Sequence, residues 1–123
     1  MMDEQIKQYL TERHIDVEKG LSMLSGNDAL YLRLLKIFPE DSRTHYAAYL
    51  EALEKGDLPA AQRSSHAIKG TSGSLRMGPL FLACTEVNDA LKNGSPPSPE
   101  QFAAFDEEYK FILDAIAGLE NLE

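Results

Sequence analysis

Residues 62–75 read QRSSHAIKGTSGSL, and this stretch determines most of what the sequence says about the fold. Asp57 is a good N-cap before it, and Gly78 with the following proline breaks any helix that runs through it. Because each helical residue turns the chain by about 100°, one stripe of small and apolar residues is expected to face a core. Its members are Leu58, Ala61, Ser65, Ile68, Ser72 and Leu75. The stretch therefore predicts an amphipathic helix that begins after Asp57 and ends near Met77.

Helical signals recur along the rest of the chain, whereas strand signals do not. Asp16, Asn27 and Ser98 each stand where an N-cap is expected, and Ser98 has capping-box spacing with Gln101. Pro39 is expected to interrupt or kink the third helical segment. The predicted helices cover residues 10–14 (the end of a first short helix), 17–24, 28–38, 40–55, 58–77, 78–92 and 99–119.

Apolar residues in these segments repeat at steps of three and four, which is the pattern of a bundle helix. The residues expected in the core are Tyr46, Tyr49, Leu50, Leu53, Leu80, Cys84, Val87, Leu91, Phe102, Phe105, Tyr109, Ile112, Ile116 and Leu119. Short connections make neighbouring helices antiparallel. We therefore predict an all-α fold, an antiparallel four-helix bundle with short additional N-terminal helices, in a single domain over residues 1–123.

Composition excludes several other classes of protein. The chain has 123 residues, of which 43% are hydrophobic and 26% charged, as in a globular domain. No apolar run reaches the roughly 18 residues of a membrane-spanning helix, and the first ten residues lack the apolar segment of a secretory signal. The single cysteine, Cys84, cannot form an internal disulfide and suits a reducing compartment. We therefore expect a cytoplasmic protein without direct membrane insertion.

The charge is unevenly distributed along the chain. A net charge of −8 argues against general nucleic-acid binding, which needs a basic face. However, no acidic residue occurs between Asp57 and Glu86, where Arg63, Lys69 and Arg76 are found. This locally basic segment indicates a specific anionic partner or group. Chance clustering on a solvated face would produce the same pattern.

His66 is the candidate reactive residue. It lies about 160° around the helix from Ile68, so its imidazole is expected to point to solvent. Lys69 follows one turn later, and Gly70 leaves uncovered backbone on the same face. A glycine inside a helix destabilises it by about 1 kcal/mol relative to alanine, so the presence of Gly70 and Gly73 requires an explanation. Close approach by another protein's backbone is one reason, and tight packing against a neighbouring helix is the other.

Phosphoryl transfer suits an imidazole placed in this way. An exposed histidine or lysine by itself is usually an ordinary surface residue. A neutral imidazole can, however, attack phosphorus through Nε2 and carry the group covalently. Lys69 can offset charge on the phosphoryl oxygens, and such transfer depends mostly on positioning and electrostatics.

The segment HAIKGTSGSL (residues 66–75) resembles the signature of histidine phosphotransfer (HPt) domains. Residues 15–21, 30–35 and 80–94 also resemble such domains in bacterial hybrid sensor kinases, so the resemblance covers nearly the whole chain. It implies that His66 is the phosphoacceptor, that Lys69 lies near the phosphoryl group and that Gly70 leaves room for an incoming receiver domain.

The resemblance also implies roles for residues that depart from the family pattern. Asn88 falls where the family commonly has Gln or Glu that hydrogen-bonds the imidazole Nδ1, but asparagine is one methylene shorter. An ordinary polar edge position is the alternative for Asn88. Arg76 stands where many members have glycine, and Lys92 adds positive charge near the site. The residues expected to contact a partner are Gln62, Arg63, Gly73, Arg76 and Lys92.

The leading hypothesis is a phosphorelay intermediate that accepts a phosphoryl group on His66 from a receiver-domain aspartate and passes it to another receiver aspartate. Its partners would be response-regulator receiver domains and a hybrid sensor histidine kinase, and the chain would be a monomer. No cofactor or metal site of its own is expected, because Mg²⁺ would come from the receiver. The chain shows no Gly-rich nucleotide loop, so ATP-dependent self-phosphorylation is not expected.

Two other functions are compatible with a small helical bundle. A protein-interaction module could dock a receiver or another partner through the same face without phosphotransfer. A metal or cofactor carrier is disfavoured, because the three histidines lie on separate predicted elements without carboxylates at ligand spacing. His14 and His45 are expected to be surface or packing residues, and Cys84 a core residue.

Overall fold

Residues 2–123 are described by a computed structural model, and within them the chain forms six α-helices and a terminal 3₁₀ helix without any strand. The helices are α1 (Glu4–Glu12), α2 (Val17–Met23), α3 (Asp28–Glu54), α4 (Leu58–Ser74), α5 (Gly78–Lys92) and α6 (Pro99–Ala117), followed by the 3₁₀ helix Gly118–Leu122. The predicted all-α class is confirmed. None of these helices combines the length and apolar character needed to cross a bilayer.

The capping residues begin the helices where the sequence predicts them to begin. Asp57 accepts a hydrogen bond from the Ala60 amide at 3.1 Å and starts α4. Ser98 and Gln101 form the complete capping box that starts α6. These side chains satisfy amide groups that the first turn of a helix leaves without partners.

Helices α3 to α6 form an antiparallel four-helix bundle, with α4 between α3 and α5 and with α6 packed against α5 and α3. An aromatic cluster joins α3 to α6, in which the rings of Tyr46 and Tyr109 stack at 4.3 Å and the Tyr49 ring meets Phe105 at 5.1 Å. Ser42 is hydrogen-bonded to the Tyr109 hydroxyl at 2.8 Å inside this cluster. The α4 stripe packs on the opposite side of the core.

Three local expectations were wrong. Pro39 does not interrupt the helix, because the segments predicted as two helices over 28–38 and 40–55 form one helix of 27 residues, α3, whose buried face packs against the rest of the bundle. Helix α4 ends at Ser74 rather than near Met77. Leu50 and Phe102, expected in the core, are 37% and 36% exposed, and the Phe102 ring stacks on Tyr49 at 6.4 Å at the edge of the aromatic cluster.

The N-terminal helices close the end of the bundle at which α4 terminates. The Tyr31 hydroxyl donates a 2.7 Å hydrogen bond to the Leu75 carbonyl, and the Asp16 amide donates a 2.8 Å bond to the Arg76 carbonyl. Gly20 lies directly against the Tyr31 ring, since a Cβ there would come within 2.4 Å of it. The end of α4 is therefore held by one side-chain hydrogen bond from α3 and by one backbone hydrogen bond from Asp16, the N-cap residue of α2.

Arg76 ends α4 in a left-handed conformation with φ of +63°, which explains why glycine suits this position. We predict that Arg76→Gly maintains or slightly raises the free energy of unfolding, whereas the β-branched Arg76→Val lowers it by about 1 to 2 kcal/mol. Urea unfolding of both variants measures the difference. Arg63→Val on the exposed face of α4 is the control. An equal loss of stability at both positions would contradict the backbone explanation.

Candidate functional site

The orientation of α4 agrees with the predicted stripe. Ala61, Ser65, Ile68 and Ser72 are each no more than 1% exposed, so this face of the helix is sealed inside the bundle. His66 is exposed on the opposite face. The bundle thus presents one imidazole to solvent from the middle of a rigid helix.

The His66 ring borders a groove between α3 and α4, which we call the His66 groove. The groove is open to solvent and encloses about 600 Å³. On the α4 side it is formed by His66, Ala67, Gly70, Thr71, Ser74 and Leu75. On the α3 side it is formed by Leu34, Ile37, Phe38 and Asp41. A partner that reaches His66 therefore meets a mainly apolar wall from α3.

The α3 wall was not predicted as part of the site, although the sequence contains a signal for it. Tyr31, Leu35, Phe38 and Ser42 form the buried stripe of α3 at helical spacing. A second stripe, one residue out of phase, contains Leu30, Leu34 and Ile37, and Ile37 is 48% exposed. An apolar face broader than the core requires indicates a contact surface.

Gly70 and Gly73 have different environments. A Cβ at Gly70 would meet nothing within 4 Å, so this glycine leaves open space beside His66. A Cβ at Gly73 would come within 2.9 Å of the Phe81 ring of α5. Of the two explanations offered for interior glycines, tight helix packing applies to Gly73 and open backbone applies to Gly70.

The expected hydrogen bond between Asn88 and the imidazole is not present. Asn88 is fully buried, and its Nδ2 donates to the Gln62 carbonyl and to Ser65 Oγ, each at 3.0 Å. Its Oδ1 has no partner among the described residues. The short side chain ends at the inner face of α4, whereas the His66 ring projects from the outer face.

Lys69 is half-buried on α4, towards Cys84 of α5. Burial raises the pKa of the Cys84 thiol to about 12, and the charge of Lys69 opposes this shift only partly. Cys84 is fully buried, as expected of a core residue, and its Sγ donates to the Ser65 carbonyl at 3.0 Å.

Four of the residues expected to contact a partner border two depressions other than the His66 groove. Gln62 and Lys92 border a separate depression between α4 and α5, at the end of the bundle where α4 begins. Gly73 and Arg76 border a third depression near the start of α5, where the Arg76 guanidinium contacts the Met23 sulfur. Arg63 is exposed on α4.

The remaining histidines lie elsewhere in the structure. His14 stacks on Phe111 at 4.5 Å and is bonded to Glu108 of α6, while His45 lies on α3. In residues 2–123, His, Cys, Asp and Glu side chains form no group of three that could hold a metal ion.

A helical bundle that presents one histidine beside a lysine and a bare glycine matches a known class of signalling domain. The family model for the Hpt domain matches residues 33–121, and the chain therefore belongs to the Hpt family. This family comprises histidine-containing phosphotransfer modules of two-component signalling, which interact with response-regulator receiver domains. Searches among curated proteins and among solved structures gave no match. The matched region begins within α3 and includes all of α4 to α6.

The contrast between the two glycines is directly testable. We predict that Gly70→Ala raises the free energy of unfolding by about 1 kcal/mol, because it gains helix propensity without a new contact. Gly73→Ala should instead lower it by about 1 kcal/mol, because the added methyl collides with Phe81. Chemical denaturation of the two variants provides the measurement. Stabilisation by both substitutions would refute the close packing of α4 on α5.

Proposed function

We propose that this domain is a phosphorelay intermediate that accepts a phosphoryl group on His66 from a receiver-domain aspartate and passes it to another receiver aspartate. The observation that carries the proposal is the exposed imidazole on the outer face of α4, beside the open backbone of Gly70. A receiver must bring its aspartyl phosphate within bonding distance of the ring, and this face leaves room for it.

The transfer needs only one nucleophile from this chain. The Nε2 lone pair forms a bond to phosphorus while the bond between phosphorus and the aspartate oxygen breaks, and the carboxylate leaves with that electron pair. Nδ1 keeps its proton during the attack, and the reverse reaction returns the group to an aspartate. Mg²⁺ held in the acidic pocket of the receiver would neutralise charge on the phosphoryl oxygens. Lys69 would contribute further positive charge from this chain.

The His66 groove supports docking of the receiver next to the reactive ring. Ile37 offers exposed apolar area on α3, and Gly70 allows a partner's backbone to approach α4. Apolar area at the core of the contact with polar groups around it is typical of protein interfaces. A docking module without phosphotransfer would use the same groove, but it would not require the imidazole.

We further propose that residues 1–123 act as one monomeric domain in the cytoplasm, with a hybrid sensor kinase among its partners. The domain would not phosphorylate itself from ATP. Gln62, Arg63 and Lys92 would contact the receiver at the margin of the docked face, because they lie on α4 or at the adjoining end of α5.

A labelling experiment tests the phosphoacceptor. Incubation with a phosphorylated receiver and Mg²⁺ should place an acid-labile, base-stable label on the wild-type chain. The label should disappear in His66→Gln and persist in His45→Gln, the matched control. EDTA should stop the exchange, because the metal belongs to the receiver. Label on the His66→Gln chain, or labelling of the wild type by ATP alone, would refute the proposal.

A second experiment tests the groove. Ile37→Asp should weaken receiver binding about tenfold, because a charge replaces an apolar contact near the centre of the interface. Leu82→Asp is the matched control, since Leu82 is 64% exposed on α5 and lies outside the groove. Binding measured by titration calorimetry should be unchanged in the control. Unchanged binding by Ile37→Asp, or equal weakening by both variants, would contradict docking at the His66 groove.

A further inference from the structure

Two side chains of α5 bind backbone carbonyls in the turn of α4 that immediately precedes His66. Asn88 Nδ2 donates to the Gln62 carbonyl at 3.0 Å, and Cys84 Sγ donates to the Ser65 carbonyl at 3.0 Å. Both side chains are fully buried. Because both bonds end on main-chain atoms, they act on the position of the α4 backbone itself.

These carbonyls belong to the backbone bonds of the two site residues. In an α-helix each amide donates to the carbonyl four residues earlier, so the Gln62 carbonyl accepts from the His66 amide. By the same rule the Ser65 carbonyl accepts from the Lys69 amide. Side chains of α5 therefore bind the same two carbonyls that accept the helical hydrogen bonds of the His66 and Lys69 amides.

Stability alone does not account for Asn88. The Gln62 carbonyl already accepts a 3.1 Å bond from Ser65 Oγ in addition to its helical partner, so it would not be left unpaired without Asn88. The buried Asn88 Oδ1 has no partner in the described part of the chain, which is unfavourable. A leucine, which branches at the same carbon and has no polar atoms, would avoid this penalty.

We propose that Asn88 and Cys84 are positioning residues that fix the rotation of the α4 turn carrying His66 and Lys69, and so aim the imidazole at the docked phospho-aspartate. This inference rests on the proposed function. Neither residue touches the reacting atoms. The close approach of Gly73 to Phe81 holds the following part of α4 against the same helix. The raised pKa of Cys84 keeps its thiol protonated, so the donor is present at neutral pH.

Replacing Asn88 with leucine distinguishes an effect on the orientation of the His66 imidazole from an effect on receiver binding. Asn88→Leu should lower the single-turnover rate of phosphoryl transfer at saturating receiver about tenfold, because misalignment of reacting atoms slows such steps steeply. The dissociation constant for the receiver should change less than about twofold, since the docking face is intact. Amide hydrogen exchange of His66 should accelerate in the variant, while exchange within α3 should stay unchanged.

Two further variants keep the test decisive. Ser42→Ala removes a buried hydroxyl that is bonded to Tyr109 of α6 rather than to α4, and it should leave the transfer rate unchanged at a comparable loss of stability. Cys84→Ala should slow transfer about threefold, and Cys84→Ser, which restores a donor, should recover the rate. The Cys84 pair decides the question if Asn88→Leu does not fold.

The outcomes distinguish this inference from the proposed function. If the wild-type chain accepts no phosphoryl group, the proposed function fails. Hydrogen exchange of the His66 amide still tests whether the hydrogen bonds from α5 stabilise this turn of α4. Wild-type transfer by Asn88→Leu, or an equal loss in Ser42→Ala, would overturn the positioning role. A loss of transfer matched by an equal loss of receiver affinity would overturn it as well.

Discussion

The structure depends on the burial of one stripe of small and apolar residues on α4. The stripe packs between α3 and α5, and each of its members is no more than 1% exposed: Ala61, Ser65, Ile68 and Ser72. Burying that stripe fixes the rotation of the helix, and the rotation places His66 on the opposite face. A turn of about 100° in either direction would carry the imidazole towards a neighbouring helix. The packing of the core and the exposure of the His66 imidazole are therefore one constraint.

The helices of the bundle contribute to the site in different ways. Helix α4 carries the imidazole and the open backbone at Gly70, while α3 adds an apolar wall through Leu34 and Ile37. Helix α5 remains behind the site and binds the main chain of α4 through Asn88 and Cys84. Together the helices support one exposed imidazole, which suits the phosphoryl transfer proposed for His66.

Much of the fold could be predicted from the sequence, because local signals and packing agree. Capping at Asp57 and Ser98 and the spacing of small residues on α4 identify the main helices and the outward histidine. Pro39 misled the prediction, since tertiary packing along a long helix outweighs the loss of one backbone bond. The Asn88 contacts could not be predicted, because they depend on how far α5 lies from the inner face of α4. The α3 wall depends likewise on the relative placement of two helices.

The most direct test of the account is the position of the phosphoryl group on the phosphorylated chain. Phosphorus–nitrogen couplings in a chain with ¹⁵N-labelled histidines identify the ring atom that carries the group. The account predicts one phosphorylated nitrogen, Nε2 of His66, after incubation with a phosphorylated receiver. Phosphorus on His14 or His45, or on no histidine at all, would contradict it.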